Sequence, residues 1–392
     1  MSLSGKQVIV VGGGIGGLAA ATAMAQRGAN VTVLEQSSEI TEVGAGLQIG
    51  PNGFAVMRAL GAGDALAAKS VRAKGVQLLE GVSGRAVFDL DFQRFSEDQH
   101  YYLVHRADLV DVLADAARKA GVEIKLSQTL QEVSVENDRA RLQMENGDVL
   151  EPELFICAGG LHSKLRLAIN GKREPFFTKQ VAWRMIIPAL GHEPPLARVF
   201  MGDGKHLVTY PLRGGEMLNI VAVQERSIWA EEGWNFKTDP SELSTVFGDF
   251  CDEVQDIISR VKDVYLWGLF RHPVATSWHR GNAAILGDAA HPTLPFMAQG
   301  AVMALEDAWV LADALDRTEC SKEGLACYQK RRRLRAANVV EAANKNARNY
   351  HVAPGPKRML AHTALRIGSR LAPDLVLKKF DWIYGYDVTK DS

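Results

Sequence analysis

His206 and Tyr210, in KHLVTYPLRGGEMLNIV, are side chains able to hold and move a proton. A histidine of ordinary pKa, near 6.5, suits general-base work. On an extended strand, positions i and i+4 share one face and lie about 13 Å apart at roughly 3.3 Å per residue. A twist or bulge would therefore be needed for both to touch one small ring. The same spacing also fits a half-buried histidine beside a core tyrosine. Further along, GDAAHPTLPFMAQG (287–300) gathers Asp288, His291, Pro295 and Gln299, yet contains no Ser–His pairing, no His–Glu metal spacing and no paired carboxylates.

A second constellation lies near the start of the chain. Gly12, Gly14 and Gly17 form GxGxxG, with Ile15 and Gly16 between the last two. The glycines serve a tight turn, close approach of backbone to a pyrophosphate, and close helix–strand packing. They follow the β-branched run VIVV (8–11) and precede the helical LAAATAMAQRG (18–28). The free N–H groups and partial positive charge of a helix N-terminus favour phosphate there. NVTVLE (30–35) reads as the next strand and ends on Glu35, whose carboxylate can accept from both hydroxyls of a ribose. An acid at that position disfavours a 2′-phosphate, which leaves NAD or FAD.

These residues need a large scaffold. The chain of 392 residues is long enough for two or three domains, and 47% hydrophobic with 23% charged content is ordinary for a globular protein. A net charge of −1 gives no support to nucleic-acid binding. The basic run KRRRLR (330–335) falls in a helical pattern and reads as a solvated face. Cys157, Cys251, Cys320 and Cys327 form no CxxC pair and no zinc-like spacing, so no metal site is expected. All four read as buried small apolar residues in a reduced, cytoplasmic setting. The uncharged stretch 8–25 could pass for a membrane span, but five glycines within six positions argue for strand, turn and helix instead.

Residues 173–270 alternate apolar and polar types between turn signals, the pattern of an antiparallel sheet. AAIL (283–286) then reads as a strand and AVMALEDAWVLADAL (301–315) as a helix. The helical stretch 325–350 is polar enough to lie across another domain.

Over nearly its whole length the chain resembles the single-component flavoprotein aromatic hydroxylases, in particular the salicylate hydroxylase-like branch. The resemblance is carried, in order, by GGGIGG (12–17), GAGLQIGPN (44–52), HRADL (105–109), GLHSKLR (160–166), GDAAHPTLPFMAQGA (287–301) with LEDA (305–308), and YH (350–351). It implies an α/β fold: a Rossmann-like FAD-binding domain, an inserted antiparallel-sheet substrate domain and a C-terminal helical segment. The corresponding division is 1–72, 100–172 and 271–316 for the FAD domain, 73–99 and 173–270 for the substrate domain, and 317–392 for the helices.

The resemblance also assigns roles. Asp288 would bond the ribityl chain of a non-covalently held FAD, while Gln299, Gly300 and Ala301 would present a helix N-terminus to the flavin pyrimidine edge. There the helix dipole and free N–H groups favour the negative charge of the reduced flavin. Arg106 would lie near the pyrophosphate or ribityl, Gln48 would touch flavin or substrate, Leu130 would border the cofactor, and the Pro295 carbonyl would face substrate. His291 reads as a structural neighbour of the flavin turn. His206 and Tyr210 occupy a His–x3–Tyr position that contacts the phenol or ring heteroatom. Arg184 and Arg213 are candidate partners for a substrate carboxylate, and FDWIYGYD (380–386) reads as an anchor for the tail.

The implied reaction takes electrons from NADH or NADPH and oxygen from O2, and hydroxylates a small aromatic acid through a flavin C4a-hydroperoxide. Two alternatives stay open: a quinone precursor or other non-carboxylate ring as substrate, or a flavin carrier or sensor. One departure bears on the second. The family places an Asp-Gly pair before HSxxR, and this chain has Gly159 where the Asp is expected. No second GxGxxG offers a nicotinamide domain, and the assembly state, monomer or homodimer, is left open.

Overall fold

The structure is a computed structural model that describes residues 3–40, 45–226 and 236–390. Gly44, the first residue of GAGLQIGPN, lies outside the described residues. Gln7–Val11 and Asn30–Leu34 are parallel neighbouring strands, joined by the helix Ile15–Ala25. The uncharged stretch 8–25 is thus strand, turn and helix. Among the described residues no helix is long and apolar enough to cross a membrane.

These strands sit inside a six-stranded sheet ordered His279–Arg280, Ala283–Ile285, Leu154–Cys157, Gln7–Val11, Asn30–Leu34, Glu123–Lys125. All pairings are parallel except the hairpin at 279–285. Leu154, Phe155 and Ile156 are fully buried, as expected of a parallel strand covered on both faces. The alanine-rich first helix packs on Gly300–Asp316, with Ala19, Ala20 and Ala23 fully buried. Small side chains there let two helix backbones approach closely.

The eight-stranded second sheet runs Phe236–Thr238, Val264–Arg271, Phe176–Pro188, Met217–Glu225, Lys205–Leu212, Leu196–Gly202, Gly75–Glu80, Ala86–Asp91. It is not wholly antiparallel: Leu196–Gly202 pairs parallel to Gly75–Glu80, where the earlier excursion of the chain joins the later strands. One face packs Trp183, Leu207 and Ile220 under the helices Ser241–Val246 and Asp252–Ser259. The other face closes over the cavity described below.

The basic run at 330–335 corrects its sequence reading. It lies on the helix Ser321–Asn349, but Arg332 is fully buried, with Nη1 2.7 Å from Glu306 Oε2 and Nε donating to Asp307 Oδ1 at 2.7 Å. Arg335 donates to both oxygens of Glu306, and Arg331 to Asp313. Acids on one helix thus hold the other. The cysteine reading holds for Cys157 alone: Cys320 is exposed, and Cys251 and Cys327 are half-buried. After the long helix come Pro356–Leu371, Pro373–Lys378 and Asp381–Tyr384.

Candidate active site

A single cavity of ≈ 1880 Å³ runs between the two sheets, from the GxGxxG turn to the C-terminal helices. That exceeds the roughly 300–1,000 Å³ typical of a site for one drug-sized ligand, so it has room for a dinucleotide and a ring substrate together.

The end beneath the first helix is backbone. Gly13, Gly14, Ile15 and Gly16 line it, and Gly14 caps the helix without a side-chain hydrogen bond, so the first-turn N–H groups stay available. Two glycines are sterically required. A Cβ on Gly12, whose φ is +108°, would lie 2.6 Å from the Ala158 carbonyl oxygen. One on Gly17 would lie 1.9 Å from the Gly12 oxygen. Glu35 lines the same end, where Oε2 accepts from Gly13 N at 2.6 Å and Oε1 from Ser37 N at 2.9 Å. It therefore braces the turn, and each oxygen keeps a lone pair for a further donor.

The stretch 287–301 supplies the facing wall. Asp288 is exposed to the cavity, and the protein around that space pushes its carboxyl pKa up by desolvation, against the opposing pull of His291 and Arg106. Arg106 lines the cavity at the start of Arg106–Lys119, and burial lowers its pKa. Pro295 opens a short turn whose carbonyl accepts from Ala298 N at 3.1 Å. Ala298 is left-handed, φ 51°, and swings the chain into the helix Gly300–Asp316, which starts uncapped with Gly300 and Ala301 at the cavity.

Gln299 differs from expectation: its side chain is buried and its Oε1 accepts from Asn52 Nδ2 at 3.0 Å, so only its main chain serves the helix end. His291 is fully buried outside the cavity, with Nε2 2.5 Å from Asp307 Oδ2, which also accepts from Gly287 N at 3.0 Å. Arg166, from HSxxR, donates to the carbonyls of Ala289 and Pro273, tying its motif to this turn. Leu130 begins the strand Leu130–Glu136 in the core, outside the cavity. Its apolar neighbours there account for it.

These groups fit FAD: two uncapped helix ends for diphosphate and flavin ring, a positive φ at Gly12 that admits a phosphate, and a carboxylate on each flank.

The sheet forms the remaining wall with period two. His206, Val208 and Tyr210 line the cavity while Leu207 turns to the opposite core. Both neighbouring strands pair with this one without a register shift, so no bulge brings His206 and Tyr210 together. His206 meets Phe296 and Tyr350, ring centroids 5.6 and 5.2 Å away. Its Nδ1 is 2.6 Å from His351 Nε2, and His351 Nδ1 is 2.8 Å from Glu225 Oε1. Burial, then the neighbouring His351, depress the His206 pKa well below the usual histidine range.

Tyr210 sits at the other end, beside Gly46, Asn219 and Gln48. Burial raises its phenol pKa. Gln48 Oε1 also accepts from Tyr101 OH at 2.7 Å.

Of the two candidate arginines, Arg184 reaches the cavity, with its guanidinium 4.3 Å from the Trp267 ring centroid and its pKa lowered to about 10 by burial. Arg213 instead makes a two-point bond to Asp108, at 2.9 and 2.8 Å, off the cavity. The tail segment does more than anchor. Arg335 holds the Trp382 carbonyl, while buried Tyr384 lines the cavity against Tyr101. No single-residue signal marked Glu225 or Tyr101; both acquire partners only through tertiary packing.

The profile described as "FAD binding domain" matches residues 6–343. The chain is 32% identical to 3-amino-4-hydroxybenzoate 2-monooxygenase of Streptomyces cremeus, covering 90% of this chain and 89% of that one. It is 31% identical to 3-hydroxybenzoate 6-hydroxylase of Polaromonas naphthalenivorans, covering 97% and 96%. Among solved structures, a salicylate hydroxylase substrate complex superposes with a TM-score of 0.82 at 23% identity, covering 99% and 97%, and so shares the fold.

Proposed function

The chain belongs to the FAD binding domain family, and from that premise we propose an FAD-dependent monooxygenase that hydroxylates a hydroxylated aromatic carboxylate. The observation that supports this reading most is the single cavity, with a flavin-type cradle at one end and a proton acceptor with an arginine on the opposite wall.

FAD would be held by the N-termini at Gly14–Gly17 and Gly300–Ala301, by Glu35 and Asp288, and by Arg106 and Gln48 along its length. When bound, it supplies electron transfer from NADH or NADPH and activation of O2. The chain's own residues do the rest. Arg184 pairs with the substrate carboxylate, a charge-assisted contact strengthened by burial. His206 takes the phenol proton, which raises electron density on the ring to be attacked. Tyr210 bonds the substrate at the far end. Val199, Val208, Val221 and Phe296 keep water from the reacting atoms.

A screen of hydroxybenzoates, aminohydroxybenzoates and hydroxynicotinates tests the reading by stimulated NADH and NADPH oxidation with product identification. Hydroxylated product from at least one acid supports it. Oxidation that no phenolic acid stimulates, in protein that retains FAD, overturns it.

A further inference from the structure

His206 is a buried base. Once it accepts a proton on the wall of the cavity, burial opposes the resulting imidazolium. The proton therefore needs a way out, and the side chains behind His206 form one.

The hydrogen-bond chemistry fixes its direction. Glu225 ends the strand Met217–Glu225 with its side chain 52% exposed, and as a carboxylate it only accepts. His351 Nδ1, 2.8 Å from Glu225 Oε1, must then carry the hydrogen and donate. In neutral His351 this leaves Nε2 bare. Burial lowers the His351 pKa despite the pull of Glu225, in keeping with a neutral ring. Nε2 faces His206 Nδ1 at 2.6 Å, so His206 carries its hydrogen on Nδ1 and its own Nε2 is bare. Glu225, at 2.8 Å, is the near partner of His351 Nδ1; the Gln180 amide nitrogen lies farther off, at 3.4 Å.

We infer that His351 and Glu225 are positioning and relay residues, which hold His206 in the tautomer with a bare Nε2 and carry the substrate's proton to solvent. The inference rests on the role of His206 proposed above.

The steps balance as proton hops without electron transfer. The phenol O–H breaks and an Nε2–H bond forms on His206. The His206 Nδ1–H breaks as an Nε2–H forms on His351. The His351 Nδ1–H breaks as an O–H forms on Glu225, which releases its proton to water. Phenolate is left in the cavity. The reverse sequence returns one proton and restores both tautomers. The other groups around the path do not interrupt it: Phe296 is apolar, and the Tyr350 phenol, raised to about 12 by burial, stays protonated.

The test needs no substrate for its first arm. Nitrogen-15 NMR of histidine-labelled, FAD-loaded enzyme should find both His206 and His351 protonated at Nδ1 near neutral pH. A hydrogen on Nε2 of His206 overturns the inference. In the second arm, enzyme is mixed with the phenolic acid from the screen, and proton release is followed with an indicator dye. Glu225→Gln keeps a possible acceptor but cannot take a proton, so release slows by roughly tenfold or more. FAD content and affinity for the acid stay unchanged, and Glu225→Asp restores the rate. Release at the wild-type rate in Glu225→Gln overturns the relay even should His351→Asn fail to fold. If His206→Ala hydroxylates normally, the base assignment itself falls. If His206→Ala is slow while Glu225→Gln is wild type, the relay alone falls.

Discussion

His206 and Tyr210 face the same cavity from the same strand but meet different polar and aromatic partners: one lies against Phe296, Tyr350 and His351, the other against Gln48 and Gly46. With no bulge between them, they address opposite ends of a substrate, so their variants should separate.

His206→Ala is expected to lower the hydroxylation rate by about 10²–10⁴-fold while FAD content stays at the wild-type level. Because burial holds the His206 pKa below the usual range, the base stays unprotonated in mild acid. The acid limb of wild-type hydroxylation should then lie below about pH 6.5. Rapid-quench turnover across pH checks both; an unchanged rate in the variant disproves the role.

Arg184→Met should raise KM for aromatic acids by about thirtyfold, corresponding to roughly 2 kcal/mol of lost pairing with a carboxylate. Non-carboxylate phenols should be affected far less. Steady-state kinetics with matched acid and amide substrates decides, and an equal loss for both would show that the arginine does not read the carboxylate.

Gly17→Ala should purify with little FAD, because its Cβ would meet the Gly12 oxygen at 1.9 Å. Gly368→Ala, where nothing lies within 4 Å, is the control and should retain FAD. The flavin absorbance ratio of the purified proteins reads the outcome directly.

Arg332→Met leaves Glu306 and Asp307 buried without their shared cation, and should destabilise the fold by about 3–5 kcal/mol. The pH dependence has a definite sign. Burial would raise the Asp307 pKa, but His291 and Arg332 outweigh it and hold it at about 2. The stability this contributes is fully present above the unfolded value of about 3.9 and is lost as pH falls from there through the folded value. Removing Arg332 should start that loss at higher pH. Denaturant melts from pH 7 to 3 on both proteins test this.

Gly159→Asp is expected to speed reduction of bound FAD by NADH or NADPH without altering the hydroxylation step. Gly159 has an ordinary φ of −74°, and a Cβ there would lie 3.5 Å from Cys157 Sγ, so the family's Asp would fit. Its absence is not forced by sterics. Anaerobic stopped-flow measures the step; a fast wild-type rate, or no gain in the variant, removes the case for a deficit.

What the sequence made legible was local. GxGxxG, its flanking strands and Glu35 could be read because turn, helix end and acid constrain one another within about one βαβ unit. Alternation likewise marked the face that carries His206. Charge was misread wherever its partner came from afar. KRRRLR looks solvated until Glu306 and Asp307 are brought beneath it, and Arg213 looks free until Asp108 is folded against it. Glu225 and His351 are 126 positions apart, and only the packing of the long helix against the sheet joins them. Tyr384 reads as a tail anchor in sequence because nothing local to it reveals the cavity wall.

The central sheet orders its strands 283–285, 154–157, 7–11 and 30–34, and the cofactor cradle straddles the same seam. A ribosome therefore delivers half of the cradle long before the other half exists. Helix Gly300–Asp316, and the Arg332 that holds its acids in place, emerge only after every strand of the second sheet has been made. Flavin loading thus waits on the second helix end. A polypeptide that stops before Gly300, however well its first βαβ unit folds, lacks that end and should purify colourless.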